Sequence, residues 1–232
     1  MNNLKTKIAI LVISFVSFLG VQTTANSVEG LSIGLGYTSS AFMGTGKETS
    51  TSGEATTVRN VSHEETGFFQ DSVSSAFVEY NLGMVSLGIE YNLDDIKTPE
   101  NKNIQTGALT TGTQLTNTVK ATFEDHTSIY ANVNFTENAY LKLGYIMTDV
   151  ATQENLGTGG AYPNVDTTGY TVGLGYQHTV DNGFFARIEL AASDYDDVSA
   201  LNSNETDKKI EVNSISRQIS ECDKVNFKGL YG

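Results

Sequence analysis

Five charged residues of this chain lie in segments where charge is costly to bury. Glu79, Glu90, Lys142, Arg187 and Glu189 sit among residues that alternate apolar and polar, and all five share the polar parity. Such period-two alternation marks half-buried β-strands. If those polar faces meet, three acids and two bases can form a cross-strand ion-pair cluster. Pairing is required there, because a buried charge without a partner is strongly destabilising.

The remaining polar groups offer little other chemistry. Catalysis needs a base held against a nucleophile or an acid–base pair. His63, followed by Glu64 and Glu65, reads as part of a solvated connection; His126 shares the inward parity and reads as a satisfied interior histidine. His178 lies beside a short turn. Asp194, Asp196 and Asp197 offer oxygens to calcium, but no glycine-spaced loop with a distal bidentate Glu follows. Gly44-Thr-Gly-Lys47 and Gly157-Thr-Gly-Gly160 lack the strand–loop–helix setting of a phosphate cradle. No catalytic residue, metal or cofactor is expected, and the reading is not that of an enzyme.

Composition narrows the partners. The 232 residues carry 14 Lys and Arg against 27 Asp and Glu, a net charge of −13. Nucleic acid is excluded as a partner, because phosphate binding needs a basic footprint. The single cysteine, Cys222, allows no intrachain disulfide. Residues 1–25 read as a cleavable signal peptide: Lys5 and Lys7 lead a run from Ile8 to Leu19 that is apolar apart from Ser14 and Ser17, and Thr23-Thr24-Ala25 offers small residues for cleavage before Asn26. No other segment reaches the roughly 20 apolar residues of a membrane helix.

From Asn26 the period is two. Leu31-Ser-Ile-Gly-Leu-Gly-Tyr37, Ala76–Tyr80, Val85–Leu93, Thr127–Phe135, Leu141–Met147, Tyr170–Tyr176 and Phe184–Ala192 all alternate, and an eighth strand is expected to start at Lys209. Long polar connections (44–70, 94–118, 151–168, 196–208) alternate with short ones (81–84, 136–138, 179–183). That rhythm predicts an all-β fold, an eight-stranded antiparallel up-and-down transmembrane β-barrel over residues 26–216.

Three features set the apolar face outward. Gly34, Gly36, Gly88, Gly144, Gly173 and Gly175 lie on the polar parity, as a narrow, filled lumen needs. Tyr80, Phe135, Tyr176 and Phe184 fall beside the short turns, with Tyr91 and Tyr170 near the long connections, as two aromatic girdles would. The five charges, of both signs, share the inward parity. A soluble lipocalin-like carrier would reverse these faces.

On these strands, with Tyr170-Thr-Val-Gly-Leu-Gly-Tyr176 as the best example, the chain from Val28 to about Ser216 resembles the small outer-membrane β-barrel superfamily of outer-membrane protein A and outer-membrane protein X. The resemblance implies residence in the bacterial outer membrane. Its implied partners are outer-membrane lipid, lipopolysaccharide and the outer-membrane assembly machinery. It implies a structural or surface-interaction role with a plugged lumen, or alternatively a narrow porin-like pore; it names no extracellular partner. One departure stands out. The family's final strand ends on an aromatic, whereas here Arg217-Gln-Ile-Ser-Glu-Cys-Asp-Lys224 breaks the alternation. Residues 217–232 are read as an atypical tail, a frameshift or a genuine variant.

Overall fold

In a computed structural model, residues 16–21, 30–52, 59–106, 114–155, 160–180, 184–203 and 208–219 are described, and none of them is helical. They form twelve strands: β1 (Val16–Val21), β2 (Leu31–Ser52), β3 (Arg59–Asn81), β4 (Val85–Asn92), β5 (Ile96–Lys97), β6 (Asn101–Thr106), β7 (Gln114–Asn134), β8 (Ala139–Asn155), β9 (Val165–Thr179), β10 (Phe184–Tyr195), β11 (Val198–Leu201) and β12 (Lys208–Ile219). All belong to one antiparallel sheet in the order β1-β10-β9-β8-β7-β4-β3-β2-β12-β11, with β5 and β6 on β7. Two further pairings, β1 with β2 and β10 with β12, link the ends of that order.

The faces are inverted relative to a water-soluble protein. Along β10 the residues alternate exposed and buried, yet the buried ones include Arg187 (2 % exposed) and Glu189 (1 %). The exposed face carries Leu35 (63 % exposed), Leu174 (54 %), Ile33, Ile129 and Val172. Monomeric soluble proteins rarely show so extended an apolar surface.

Short turns explain one end of the sheet. Between β3 and β4, Gly83 has φ +97 and its N–H donates to Asn81 Oδ1 (2.7 Å), closing the hairpin. Between β7 and β8, Thr136 Oγ1 accepts from the Ala139 N–H at 2.8 Å. The expected Asp181-Asn182-Gly183 turn lies outside the described residues.

The long connections differ from expectation. Most of 44–70 is strand: β2 and β3 stay paired without a register shift from Leu31↔Tyr80 to Ser52↔Arg59. The other long connections hold β5, β6, β11 and the ends of their neighbours. Here the chain is rich in Thr, Ser and Glu, and backbone pairing sustains a ribbon without apolar alternation. The expected count of eight strands gives way to twelve strand segments. β12 begins at Lys208 and continues to Ile219, three residues past the expected boundary at Ser216, and 220–232 lie outside the described residues. β1 falls inside the segment read as a signal peptide.

Candidate functional site

The five charged residues lie together on the buried face. Arg187 of β10 forks onto Glu79 of β3, with Nη1 to Oε2 at 3.0 Å and Nη2 to Oε1 at 3.0 Å. Glu79 Oε2 also accepts from Tyr130 Oη (3.1 Å) and Asn132 Nδ2 (2.9 Å). Gln177 Oε1 takes the remaining reach of the guanidinium, from Nη2 at 2.7 Å and Nε at 3.1 Å. Lys142 of β8 donates to Glu189 Oε1 (2.9 Å) and Glu90 Oε2 (3.0 Å). The far oxygens are held too: Tyr140 Oη donates to Glu189 Oε2 (2.7 Å) and Ser75 Oγ to Glu90 Oε1 (2.8 Å). Such charge-assisted bonds, with each carboxylate fully occupied, are what allows ions to stay buried.

Glycines make this geometry possible. β9 lies between β8 and β10, and Lys142 stands opposite its Gly173 while Tyr140 stands opposite its Gly175. A Cβ on Gly175 would lie 1.9 Å from Tyr140 Cζ, so only glycine leaves the ring its path to Glu189. Gly88 does the same for Tyr130, where a Cβ would lie 2.3 Å from Cζ.

Aromatic side chains extend the filling on either side. Phe77 and Phe185 are buried, their centroids 6.1 Å apart, with the Arg187 Cζ 5.2 Å and 5.5 Å from the two rings. Toward the long connections Phe42, Val73 and Ile96 form a second buried cluster, with Phe69 and Phe123 against it. Phe42 stacks on Phe69 at 4.7 Å. A β-bulge between Glu124 and Thr127, with Asp125 at φ 51, lets both Phe123 and His126 serve the buried side. His126 Nε2 lies 3.1 Å from Tyr195 Oη, a satisfied interior histidine. Between the charge cluster and the aromatic layer a space of ≈ 20 Å³ remains, lined by Glu90, His126, Ser128, Lys142 and Thr171 among others. That is about the room one water needs.

The six expected girdle residues, Tyr80, Tyr91, Phe135, Tyr170, Tyr176 and Phe184, are all exposed. Tyr37 and Tyr145, not singled out from sequence, are exposed as well, and Tyr145 packs edge-on against Tyr170 at 5.4 Å. Tyr91 Oη donates to Asp125 Oδ1 at 2.7 Å. Phe42, Phe69, Phe77, Phe123, Tyr130, Tyr140 and Phe185 lie on the buried side and are not among the residues that the sequence reading singles out. For Tyr130, Tyr140, Phe77 and Phe185 the signal was present: they share the parity of the charges. Of the other groups weighed, Asp194, Asp196 and His178 are exposed, and the side chain of His63 lies outside the described residues. Among the described residues no group of three or more His, Cys, Asp or Glu could hold a metal ion.

No family model and no curated protein matches the sequence. Among solved structures the chain is similar to Neisserial surface protein A, at 12 % identity over 80 % of this chain and 97 % of that one, TM-score 0.31. It is similar to the attachment invasion locus protein Ail of Yersinia pestis, at 12 % identity over 79 % and 99 %, TM-score 0.27. It is also similar to the outer membrane protease OmpT from Escherichia coli, at 9 % identity over 92 % and 99 %, TM-score 0.38.

Proposed function

We propose that this protein is a bacterial outer-membrane β-barrel with a plugged lumen, serving a structural or surface-interaction role. The observation that carries the reading is the inversion of faces: arginine, lysine and glutamate inside, leucine, isoleucine and valine outside. A bilayer makes that arrangement favourable, and an open sheet edge in lipid would be costly. On this reading the strand segments group into eight staves: β2, β3, β4 with β5 and β6, β7, β8, β9, β10 with β11, and β12. The exposed tyrosines and phenylalanines near both ends fit the two membrane–water interfaces. Lipid and lipopolysaccharide then contact the apolar belt, and the assembly machinery inserts it.

The plug favours an anchor over a pore. The ion-pair cluster and two aromatic layers fill an interior that eight staves already make narrow. What projects from it is long. Beyond the buried Phe42 and the half-buried Phe69 the β2–β3 ribbon runs on from Met43 to Ser52, roughly 35 Å at about 3.4 Å per residue, with β12 paired alongside β2 from Ser39 to Ser50. That polar wall is the surface available to an external partner.

The test is paired. Heat-modifiable gel migration and protection from protease in lipid vesicles are expected of the refolded protein. Planar-bilayer recording is expected to show no steady conductance. A steady ohmic channel would overturn the plugged lumen and favour the pore. Failure to enter vesicles would overturn the membrane reading itself.

A further inference from the structure

The buried charges do not balance. Glu79, Glu90 and Glu189 meet two bases, Lys142 and Arg187. Arg187 is taken up by Glu79, onto which it forks. Lys142 is shared, with Glu189 Oε1 at 2.9 Å and Glu90 Oε2 at 3.0 Å. These three side chains are 6 % (Lys142), 1 % (Glu189) and 12 % (Glu90) exposed. Together they carry one negative charge that neither base cancels. A net charge held away from water is strongly unfavourable, even when its hydrogen bonds are made.

The missing charge has a place. Glu90 borders the space of ≈ 20 Å³ that lies between the charge cluster and the aromatic layer. Thr38 of β2, Asn92 of β4, Ser128 of β7 and Thr171 of β9 line it with oxygen-bearing side chains from four strands, and His126 and Lys142 also stand in its wall. Water would fill that room but leave the charge. A proton on Glu90 or His126 would cancel the charge but needs no room. A singly charged ion does both, and a bare potassium ion is close to a water molecule in size. We propose that this space binds one monovalent cation of potassium's size, held by Glu90 and the hydroxyl and amide oxygens around it.

The donor set fits a single charge. Hard cations take oxygen ligands, and doubly charged ones gather several carboxylates. Among the described residues lining the space Glu90 is the one carboxylate, so a divalent ion would overshoot the balance by one. Lys142 does not bar the ion, because its ammonium is already divided between two carboxylates and the three groups together still attract a cation. An ion seated there ties β4 to β2, β7 and β9 across the interior. Because it binds the folded chain alone, it raises stability with its concentration.

The proposal concerns the buried cluster and is scored in detergent, apart from vesicle insertion and conductance. The test uses the full chain, refolded and isolated as the heat-modifiable species, in potassium chloride or choline chloride at one ionic strength. Choline is too large for the space. The urea midpoint of the native chain is expected to be higher in potassium, and its unfolding slower. Glu90→Gln leaves two carboxylates for two bases, so it is expected to fold and to lose the difference between the salts. Thr171→Val removes one oxygen from the wall, is expected to shrink that difference, and serves if Glu90→Gln does not fold. In crystals grown with thallium(I), a heavy substitute for potassium, anomalous density is expected beside Glu90. Equal midpoints for the native chain in the two salts, density explained by water alone, or a Glu90→Gln chain that keeps the potassium response would each overturn the proposal. A native chain indifferent to potassium that takes up one proton on folding would overturn it in favour of a proton on Glu90 or His126.

Discussion

Lys142 and Leu143 are neighbours in β8 with opposite fates. Lys142 is 5 % exposed and held by two carboxylates, while Leu143 is 46 % exposed and faces the apolar belt. One bond along the chain separates a filled polar interior from an apolar exterior. The difference teaches where specificity resides in this fold. The exterior asks only for uncharged, apolar residues at alternate positions. The interior asks for particular partners at particular distances, so its residues tolerate exchange far less well.

The largest effect is therefore expected inside. Arg187→Leu leaves Glu79 buried without its guanidinium, and the loss of one partner of a buried pair costs about 3–5 kcal/mol. Glu79→Leu with Arg187→Leu removes both charges, and most of that loss is expected to return. Urea titration of the refolded protein in lipid reads both midpoints. A double variant no more stable than the single one would show that shape, rather than charge, limits the interior.

Outside, charge and not shape is the expected limit. Leu143→Arg should cost about 2–4 kcal/mol, the penalty for a basic residue near mid-membrane. Leu143→Ile should be close to silent. As a control in water, Lys102→Ala loses only the exposed pair with Glu100 (3.1 Å), within roughly 0.5 kcal/mol. Equal midpoints for Leu143→Arg and Lys102→Ala would remove the apolar solvent from the comparison.

The sequence made the two faces legible for the same reason that they differ. Parity alone sets Glu79, Glu90, Lys142, Arg187 and Glu189 on one face and Tyr80, Tyr170 and Leu143 on the other. Parity cannot say that Arg187 meets Glu79 while Lys142 meets Glu189, because that depends on how each strand is offset from the next. Nor does it survive the bulge at Asp125, which brings Phe123 to the buried side against the parity of His126. The long ribbons read as loops because, past the buried Phe42 and the half-buried Phe69, their residues are mostly Thr, Ser, Gly and Glu, which erases apolar alternation while the backbone still pairs.

A smaller change probes the fit of the interior. Gly175→Ala places a methyl where the Tyr140 ring already lies, 1.9 Å from Cζ. Alanine normally improves on glycine in a strand, but overpacking here should cost about 1–3 kcal/mol. Tyr140→Leu frees that space while releasing the Glu189 Oε2 bond. The two changes together should therefore cost less than their sum, as neighbours in one network do. Additive midpoints would mean that the ring and the glycine are not the tight pair that their distance implies.

The smallest effect belongs to a carboxylate in water. Asp94 follows β4, and its Oδ2 accepts the backbone N–H of Ser74 at 3.0 Å. That bond, with the Ser74 hydroxyl next, holds the Asp94 carboxyl below its ordinary range. A carboxylate whose pKa is lowered on folding contributes stability that is fully present above the unfolded value, about 3.9, and is lost as pH falls through the folded one. The gap in urea midpoint between the native chain and Asp94→Ala should thus be constant from about pH 7 to pH 5 and close below about pH 4. It should also be slight, because the group is solvated and easily screened. The same bond geometry that is indispensable around Glu79 is dispensable here, since water takes the place of the lost partner. A gap that widens toward acid would reverse the sign and show that Asp94 is held in its protonated form.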